Sequence, residues 1–249
     1  IPSTSNMLFK SFDVCFSQNK ETAKYLKSLG SNKIKFIGNL KFSESKTQKN
    51  NNFGNNLKKI FKYKKIWCAS STHDTEEKIC VLAHKKLKNK YSNLLTIIIP
   101  RHIQRTNNII NDIKNLDLKI QTHSISSKIS KSTEIYLVDT YGETKSFFKI
   151  CKTVFLGGSL INHGGQNPLE PARFGCKIFH GPYIQNFTEI YKLLNQNNLS
   201  SKFNNINQLA KLINQSFKQN QNYTNKAIKL KKIGSNILDH TLTEIKYYL

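Results

Sequence analysis

Short, continuous apolar runs alternate with longer stretches of helical periodicity through the middle of the chain. The runs predict strands at residues 65–69, 94–99, 118–122, 135–138, 153–156 and 177–179. Apolar positions three and four residues apart predict intervening helices at 74–90, 104–115, 143–149 and 168–174. Because continuously apolar strands that alternate with helices form parallel sheets covered on both faces, the pattern predicts an α/β fold of Rossmann-like type.

The two ends of the chain carry a weaker version of the same pattern. Strands are expected at 13–17 and 33–37, around a helix over 20–29 that Gly30 ends. Polar stretches at 43–56 and 124–132 are predicted as loops, and the last part of the chain is predicted to be mostly helical. These C-terminal helices are expected at residues 186–195, 206–217 and 223–248.

Polar clusters follow four of the predicted strands. They are Ser70-Ser71-Thr72-His73, Pro100-Arg101-His102, Asp139-Thr140-Tyr141-Gly142-Glu143, and a glycine loop from Gly157 to Glu170. Ligands of open α/β sheets bind beyond the carboxyl ends of the strands. The clusters therefore predict one crevice with hydroxyls, an arginine, backbone N–H groups and carboxylates, a combination that suits a nucleoside monophosphate.

The glycine loop admits two interpretations. Paired glycines and a helix start can cradle an anion, since backbone N–H groups are then exposed. Alternatively, Asn167 as N-cap, Pro168 at the first helical position and Glu170 at the third are close to a capping box, which is structural punctuation. In the same way, Ser71 or Thr72 can N-cap the following helix. The sequence leaves these alternatives open.

The charge of the chain changes this picture little. Thirty-nine basic and 15 acidic residues give a net charge of +24, which raises the possibility of a nucleic-acid or membrane partner. However, the lysines are spread along the chain and no nucleic-acid-binding motif occurs, so no nucleic-acid partner is expected. Only three basic residues are arginines, and Arg101 in the second polar cluster is singled out because a guanidinium binds phosphate with a planar fork.

Several other classes of site find no support. Five scattered cysteines without a C-x-x-C pair indicate buried, reduced thiols. His73, His102 and His163 lack the spacing of a metal site, so neither a metal nor another cofactor is expected. The dinucleotide and P-loop signatures are missing, and no apolar run approaches the roughly 18–20 residues that span a bilayer.

Taken together, the polar clusters resemble the 3-deoxy-D-manno-octulosonic acid (Kdo) transferase family of lipopolysaccharide synthesis. The resemblance runs in family order over most of residues 12–190. It is carried by Phe16-Ser17-Gln18, Leu29-Gly30, Gly38-Asn39-Leu40-Lys41-Phe42, Ser71-Thr72-His73, Pro100-Arg101-His102, Asp139-Thr140-Tyr141-Gly142-Glu143, Gly157-Gly158-Ser159-Leu160, His163-Gly164-Gly165-Gln166-Asn167-Pro168-Leu169-Glu170-Pro171-Ala172, and Gly181-Pro182-Tyr183 with Asn186-Phe187.

The resemblance implies a two-domain GT-B glycosyltransferase that moves Kdo from CMP-Kdo to a lipid A precursor, without metal, as a peripheral protein on the cytoplasmic face of the bacterial inner membrane. Residues 1–40 are then expected to be the end of the N-terminal acceptor domain and the interdomain link. Residues 41–225 would form the Rossmann-like CMP-Kdo-binding domain, and 226–249 a helix that packs back on the N-terminal domain. Because the match begins near the end of the N-terminal domain, the general base is expected outside this chain, which alone should be inactive.

The resemblance also implies roles for individual residues. Glu170 would hold the ribose hydroxyls of CMP, and Arg101 with the N–H groups of Gly158 and Ser159 would meet the phosphate. The nucleotide pocket would be lined by Ser71, Thr72, Gly142 and Glu143 and shaped by Asn167. His73, His102 and His163 are expected near Kdo or phosphate, and the remaining donor-binding positions are Gly157, Gly164 and Gly165.

Two other functions stay open at this point. The chain could be a non-catalytic basic module that binds anionic membrane or nucleic acid, in which case its association would depend steeply on salt. It could also be another GT-B nucleotide-sugar enzyme, such as a UDP-sugar transferase or epimerase, for which uridine nucleotides would bind better than cytidine nucleotides.

Overall fold

A computed structural model describes residues 2–43, 55–125, 129–219 and 223–249 of the chain. The predicted loops at 43–56 and 124–132 therefore lie largely or partly outside the described residues. The backbone divides into two compact units, one formed by Ile1–Gln48 and Ile228–Leu249, the other by Lys49–Ala227. The functional domains predicted with boundaries at residues 40 and 225 remain a prediction.

The smaller unit contains a two-stranded parallel sheet. Its strands β1 and β2 pair in register from Cys15 against Ile34 to Ser17 against Phe36. Asn19 begins the intervening helix, because its side-chain oxygen accepts a hydrogen bond of 2.7 Å from the backbone N–H of Thr22. The strands and this helix confirm the predicted pattern, whereas the first helix was not predicted. The elements are α1 (Pro2–Lys10), β1 (Cys15–Ser17), α2 (Lys20–Ser28) and β2 (Ile34–Phe36).

The larger unit is built on seven parallel strands. They are β3 (Lys65–Thr72), β4 (Leu94–Pro100), β5 (Ile120–Thr122), β6 (Ile135–Leu137), β7 (Thr153–Leu156), β8 (Lys177–His180) and β9 (Ser200–Lys202). Their order across the sheet is β5-β6-β4-β3-β7-β8-β9. All six predicted strands of this unit are confirmed. The polar edge strand β9 was missed, because it has no apolar run and is defined by its pairing with β8.

Helices connect these strands and cover the sheet. They are α3 (Asn55–Tyr63), α4 (Glu76–Lys88), α5 (Thr106–Lys114), α6 (Thr144–Ile150), α7 (Leu169–Arg173), α8 (Thr188–Gln196) and α9 (Ile206–Gln219), followed by α10 (Thr224–Lys246). Each predicted helix is present, with ends that differ by a few residues. Helix α3 was not predicted. No helix among the described residues is long and apolar enough to cross a membrane.

Successive strand residues point to opposite faces of the sheet, and each face is buried. On one face Trp67, Ala69 and Phe155 join an apolar cluster with residues of α4, α5 and α9. On the other face Cys68 and Val154 join a second cluster with residues of α3 and α6. This arrangement confirms the predicted α/β class, a Rossmann-like parallel sheet covered on both faces. Polar groups emerge where the strands end.

The buried imidazole of His84 makes the larger unit sensitive to acid. Its Nδ1 lies 2.8 Å from Thr96 Oγ1, and burial lowers its pKa from 6.5 to about 4. The folded protein therefore keeps His84 neutral, while the unfolded chain protonates it below pH 6.5. Because the folded pKa is depressed, the stability that neutral His84 provides is complete above pH 6.5 and is lost as the pH falls through 4.

When the pH is lowered from 6.5 to 4, we expect the titration of His84 to lower the unfolding free energy by roughly 2–3 kcal/mol, as its pKa shift implies. Urea denaturation over that pH range checks the prediction. The control is His84→Gln, which keeps an amide near Thr96 but cannot titrate, so its pH dependence should be shallower. Equal pH dependence in the two proteins would contradict it.

Candidate functional site

The site begins where β3 ends. The strand runs to Thr72 with an irregular register between Ser70 and Thr72, and Ser71 has a φ of +54°. Two neighbouring strand ends are tied to it. The N–H of Arg101 donates to the Thr72 carbonyl at 2.9 Å, and the N–H of Gly157 donates to the Ser70 carbonyl at 2.9 Å. Since the Thr72 side chain is fully buried, it supports the pocket from behind rather than lining it. Ser71 is half-buried.

The carboxylate of Glu76, at the start of α4, joins two loops of the site. Its side chain is fully buried and accepts hydrogen bonds from four backbone N–H groups. Oε2 accepts from His73 at 2.9 Å and Gly158 at 2.8 Å, and Oε1 accepts from Ser159 at 3.1 Å and Leu160 at 2.9 Å. Burial raises the pKa of Glu76, and the four N–H donors oppose this rise.

This arrangement corrects two predictions. Helix α4 begins at Glu76, so neither Ser71 nor Thr72 is its N-cap. In addition, the N–H groups of Gly158 and Ser159, which were predicted to meet a donor phosphate, donate to Glu76 instead. The hydroxyl of Ser159 donates to the Leu156 carbonyl at 2.7 Å. These groups hold the glycine loop together and are not directed at a ligand.

Close packing explains why this loop needs glycines. A Cβ at Gly157 would lie 2.4 Å from the Ser71 carbonyl oxygen, and one at Gly164 would lie 2.3 Å from Nδ2 of Asn186. Gly158, at φ +66°, and Gly165, at φ +81°, also adopt backbone conformations that favour glycine. Their backbones are joined, since the N–H of Gly165 donates to the Gly158 carbonyl at 2.8 Å.

Three histidines meet beside the loop. The ring of His73 lies 4.4 Å from that of His163 and 5.7 Å from that of His102, measured between centroids. Burial and the neighbouring rings of His163 and His102 lower the pKa of His73 to about 4, so it is neutral at pH 7. Gln166, which the sequence did not single out, places Nε2 3.3 Å from Nε2 of His73. Within the described residues, no three histidine, cysteine or acidic side chains are grouped as metal ligands.

The two arginines near this cluster have different surroundings. Arg105 donates to Glu77 Oε1 at 2.9 Å and to Asp74 Oδ1 at 2.7 Å. Arg101 is exposed, and among the described residues its guanidinium has no hydrogen bond or ion pair. The side chain that the sequence singled out for phosphate is therefore the one that remains available.

Glu143 is held at the end of the loop between β6 and α6. Its Oε2 accepts a hydrogen bond of 2.7 Å from the hydroxyl of Thr140 and lies 2.6 Å from Nε2 of His123. The other ring nitrogen of His123 lies 2.6 Å from the hydroxyl of Tyr136. Neighbouring Gly142 is exposed with a φ of +86°. The sequence did not identify His123, because it follows a short, weakly apolar strand and belongs to none of the quoted strings.

Glu170 lies on α7, near the same edge. Its side chain is 38% exposed, with Oε1 3.9 Å from Nζ of Lys145, a residue the sequence also missed. Helix α7 begins at Leu169, so Glu170 stands at the second helical position and not at the third, which a capping box requires. Asn167 does act as punctuation, since its Oδ1 accepts from the N–H of Leu169 at 3.0 Å.

The strand ends thus bring together two kinds of group. Arg101 and the three histidines supply donors for an anion, and the carboxylates of Glu143 and Glu170 supply acceptors for hydroxyls. The strands that carry them, β6, β4, β3 and β7, are consecutive in the sheet. Such a crevice can bind a ligand that has both phosphate and sugar hydroxyls.

Comparison with known proteins gives several relatives named 3-deoxy-D-manno-octulosonic acid transferase, and a bifunctional glycosyltransferase/methyltransferase of Fusobacterium nucleatum also matches, at 31% identity over 80% of this chain and 31% of its own length. No protein-family model matches the chain. A 3-deoxy-D-manno-octulosonic acid transferase of Haemophilus influenzae is 33% identical over 163 residues, which is 65% of this chain and 38% of the relative. The enzyme of the same name from Rickettsia typhi is 29% identical over 98% of this chain and 54% of its own length. The chain spans about half the length of the curated relatives it matches.

Solved structures agree in fold. The C-terminal CMP-Kdo binding domain of WaaA from Acinetobacter baumannii matches with a TM-score of 0.63 and 24% identity, over 73% of this chain and 93% of that domain. Anabaena HepE in complex with UDP-glucose matches with a TM-score of 0.53 and 11% identity, over all of this chain and 67% of that one. At these identities the likeness shows the fold alone, and it confirms the predicted GT-B class.

A substitution of Glu76 tests how much its hydrogen bonds contribute to the stability of the larger unit. In Glu76→Gln one acceptor oxygen becomes an NH2 group that faces backbone N–H donors, so hydrogen bonds are lost and polar groups are left unsatisfied in the interior. We expect the unfolding free energy to fall by about 2–4 kcal/mol. Urea denaturation measures the loss. Asp112→Asn, the same chemical change on an exposed residue of α5, should leave stability unchanged, and equal effects of the two variants would refute the role of Glu76.

Proposed function

Because the chain belongs to the family of 3-deoxy-D-manno-octulosonic acid (Kdo) transferases, we propose that its larger unit binds CMP-Kdo as a sugar donor. The whole protein would transfer Kdo to a lipid A precursor in lipopolysaccharide biosynthesis. The observation that carries the proposal is the identity to curated Kdo transferases, which extends over 98% of the chain. The crevice at the carboxyl ends of the strands supplies the chemistry that such a donor requires.

The phosphate of the donor would be held by side chains. Since the N–H groups of Gly158 and Ser159 donate to Glu76, they are not assigned to the phosphate. Arg101 has the planar donor fork and the charge that a phosphate needs. The imidazoles of His73 and His163, whose ring centroids lie 4.4 Å apart, can add N–H donors.

The hydroxyl groups of the donor would be held by carboxylates. Glu170 lies on α7 with its side chain 38% exposed, so a ribose can reach its carboxylate and donate hydrogen bonds to it. Glu143, with the exposed Gly142 beside it, would form the neighbouring wall. Ser71, which is half-buried, is the hydroxyl of the β3 loop that can still line this pocket.

This geometry fits the bond that must break. When the anomeric bond of the donor opens, the sugar develops oxocarbenium character and negative charge grows on the phosphate oxygens of CMP. Arg101 would stabilise that charge, which lowers the barrier because the group is already in place. The group that deprotonates the acceptor hydroxyl is expected outside this chain.

A peripheral place on the cytoplasmic face of the inner membrane is part of the proposal. The acceptor in this hypothesis is a lipid, and the net charge of +24 would favour association with anionic headgroups. The alternative of a purely basic binding module requires no nucleotide crevice, and the four consecutive strand ends argue against it.

Titration of CMP and UMP into the purified chain by calorimetry tests the proposal. Saturable binding that favours CMP is expected. Preference for UMP would indicate another nucleotide-sugar enzyme of the same fold. A folded chain that binds neither nucleotide would overturn the proposal.

The role of Glu170 is tested in the same titration. Removing a carboxylate that accepts hydrogen bonds from the ribose costs about 1.5–3 kcal/mol, so Glu170→Ala should bind CMP about ten-fold more weakly, or worse. Asp112→Asn is again the control, because it removes an exposed carboxylate of α5 that the proposal does not place in the crevice. Unchanged affinity in Glu170→Ala would show that this carboxylate does not hold the ribose.

A further inference from the structure

A chain of three hydrogen-bonded side chains runs from the interior of the larger unit to the crevice. It starts at Tyr136, which is fully buried on β6. Its hydroxyl lies 2.6 Å from Nδ1 of His123, whose Nε2 lies 2.6 Å from Oε2 of Glu143. Of the three, Glu143 is the residue that the family resemblance places in the nucleotide pocket.

The partners of His123 fix where its proton resides. A carboxylate oxygen can only accept a hydrogen bond, so Nε2 must carry the proton that it donates to Glu143. In the neutral ring Nδ1 is then an acceptor, and the hydroxyl of Tyr136 donates to it. Burial raises the pKa of Tyr136 far above its ordinary value, so this hydroxyl keeps its proton.

The surroundings of His123 hold the ring in one orientation. Its centroid lies 5.6 Å from that of Tyr136 and 5.8 Å from that of Phe147, with both rings edge-on. Its backbone N–H donates to the Leu137 carbonyl at 2.8 Å. The next residue, Ser124, donates its N–H to Oδ1 of Asp139 at 2.8 Å. The imidazole is therefore fixed to β6 and to the loop that follows it.

The two hydrogen-bond donors of Glu143 share one of its carboxylate oxygens. Both His123 and Thr140 direct their donors at Oε2, and no hydrogen bond to Oε1 is found among the described residues. The carboxylate is 21% exposed. One oxygen thus anchors the side chain, while the other is left to accept from a ligand.

We propose that His123 is a positioning residue for donor binding, which orients Glu143 so that its free oxygen accepts a hydrogen bond from a hydroxyl of the nucleotide sugar. The hydroxyl of Tyr136 sets the tautomer of His123 by donating a hydrogen bond to Nδ1. This inference rests on the proposed function, because it takes the ligand of the crevice to be a cytidine nucleotide.

Three substitutions separate positioning from packing. His123→Leu removes both hydrogen bonds but keeps an apolar body between the rings. His123→Gln keeps an amide N–H near the position of Nε2 and should restore the bond to Glu143. His84→Leu is the matched control, because His84 is also buried and hydrogen-bonded, to Thr96, near the opposite ends of the strands.

Calorimetric titration of CMP, with thermal unfolding of each variant, gives the first test. We expect His123→Leu to bind CMP about five- to ten-fold more weakly, as loss of a charge-assisted hydrogen bond implies, and His123→Gln to stay within about three-fold of the wild type on the same scale. His84→Leu should lose thermal stability and keep its CMP affinity. Equal CMP affinity in His123→Leu and the wild type would overturn the inference.

A double-mutant cycle with Glu143→Gln gives the second test. If His123 acts through Glu143, adding His123→Leu to Glu143→Gln should weaken CMP binding no further. A full additional loss would overturn the inference, since His123 would then act independently of that carboxylate. Failure of the wild-type protein to bind CMP would instead overturn the proposed function, and this inference with it.

Discussion

The hydrogen bonding of the Glu76 carboxylate is the constraint on which the site depends. An ionised carboxylate is costly to bury unless each oxygen is satisfied. The four backbone N–H groups that satisfy it come from the loop after β3 and from the glycine loop after β7. Two strand ends more than 80 residues apart in sequence are thereby joined through one side chain. The N–H of His73 is one of these donors, so the carboxylate also positions the residue on which the cluster of imidazoles is centred.

This constraint changes how an anion can be recognised. Glycine loops beside a helix start commonly bind phosphate through backbone N–H groups. In this protein the N–H groups of Gly158 and Ser159 donate to the protein's own Glu76. In the proposed function, the phosphate would therefore be recognised by Arg101 and the imidazoles. Within the part of the chain that the structure describes, the Arg101 guanidinium has no ion-pair partner, and His73 is kept neutral by burial and by its neighbours. The glycines serve the packing of the loop, as the short distances from a Cβ at Gly157 show.

The sequence predicted the sheet well and the details of the site less well. Buried parallel strands are continuously apolar, so β3, β4 and β7 were evident, and their polar ends followed from chain order. The polar strand β9 and the start of α7 depend on pairing and backbone geometry that no periodicity encodes. Glu76 was missed because an acid in the first turn of a helix is ordinary, and its partners at Gly158, Ser159 and Leu160 are distant in sequence. His123 was missed for a similar reason, since its proposed role depends on its contacts with Tyr136 and Glu143, which only the fold creates.

The three glutamates of the site differ in how deeply they are buried, and this difference separates a structural acid from the two that the proposed function assigns to a ligand. Glu76 is fully buried with four N–H donors, which leaves it no capacity for a ligand. Glu143 is 21% exposed and accepts from Thr140 and His123 on one oxygen, and Glu170 is more than one-third exposed. The exposure of these three side chains therefore increases from the glycine loop toward the edge formed by α6 and α7. In the proposed function, the hydroxyl groups of the donor would be recognised at that edge and its phosphate beside the histidines.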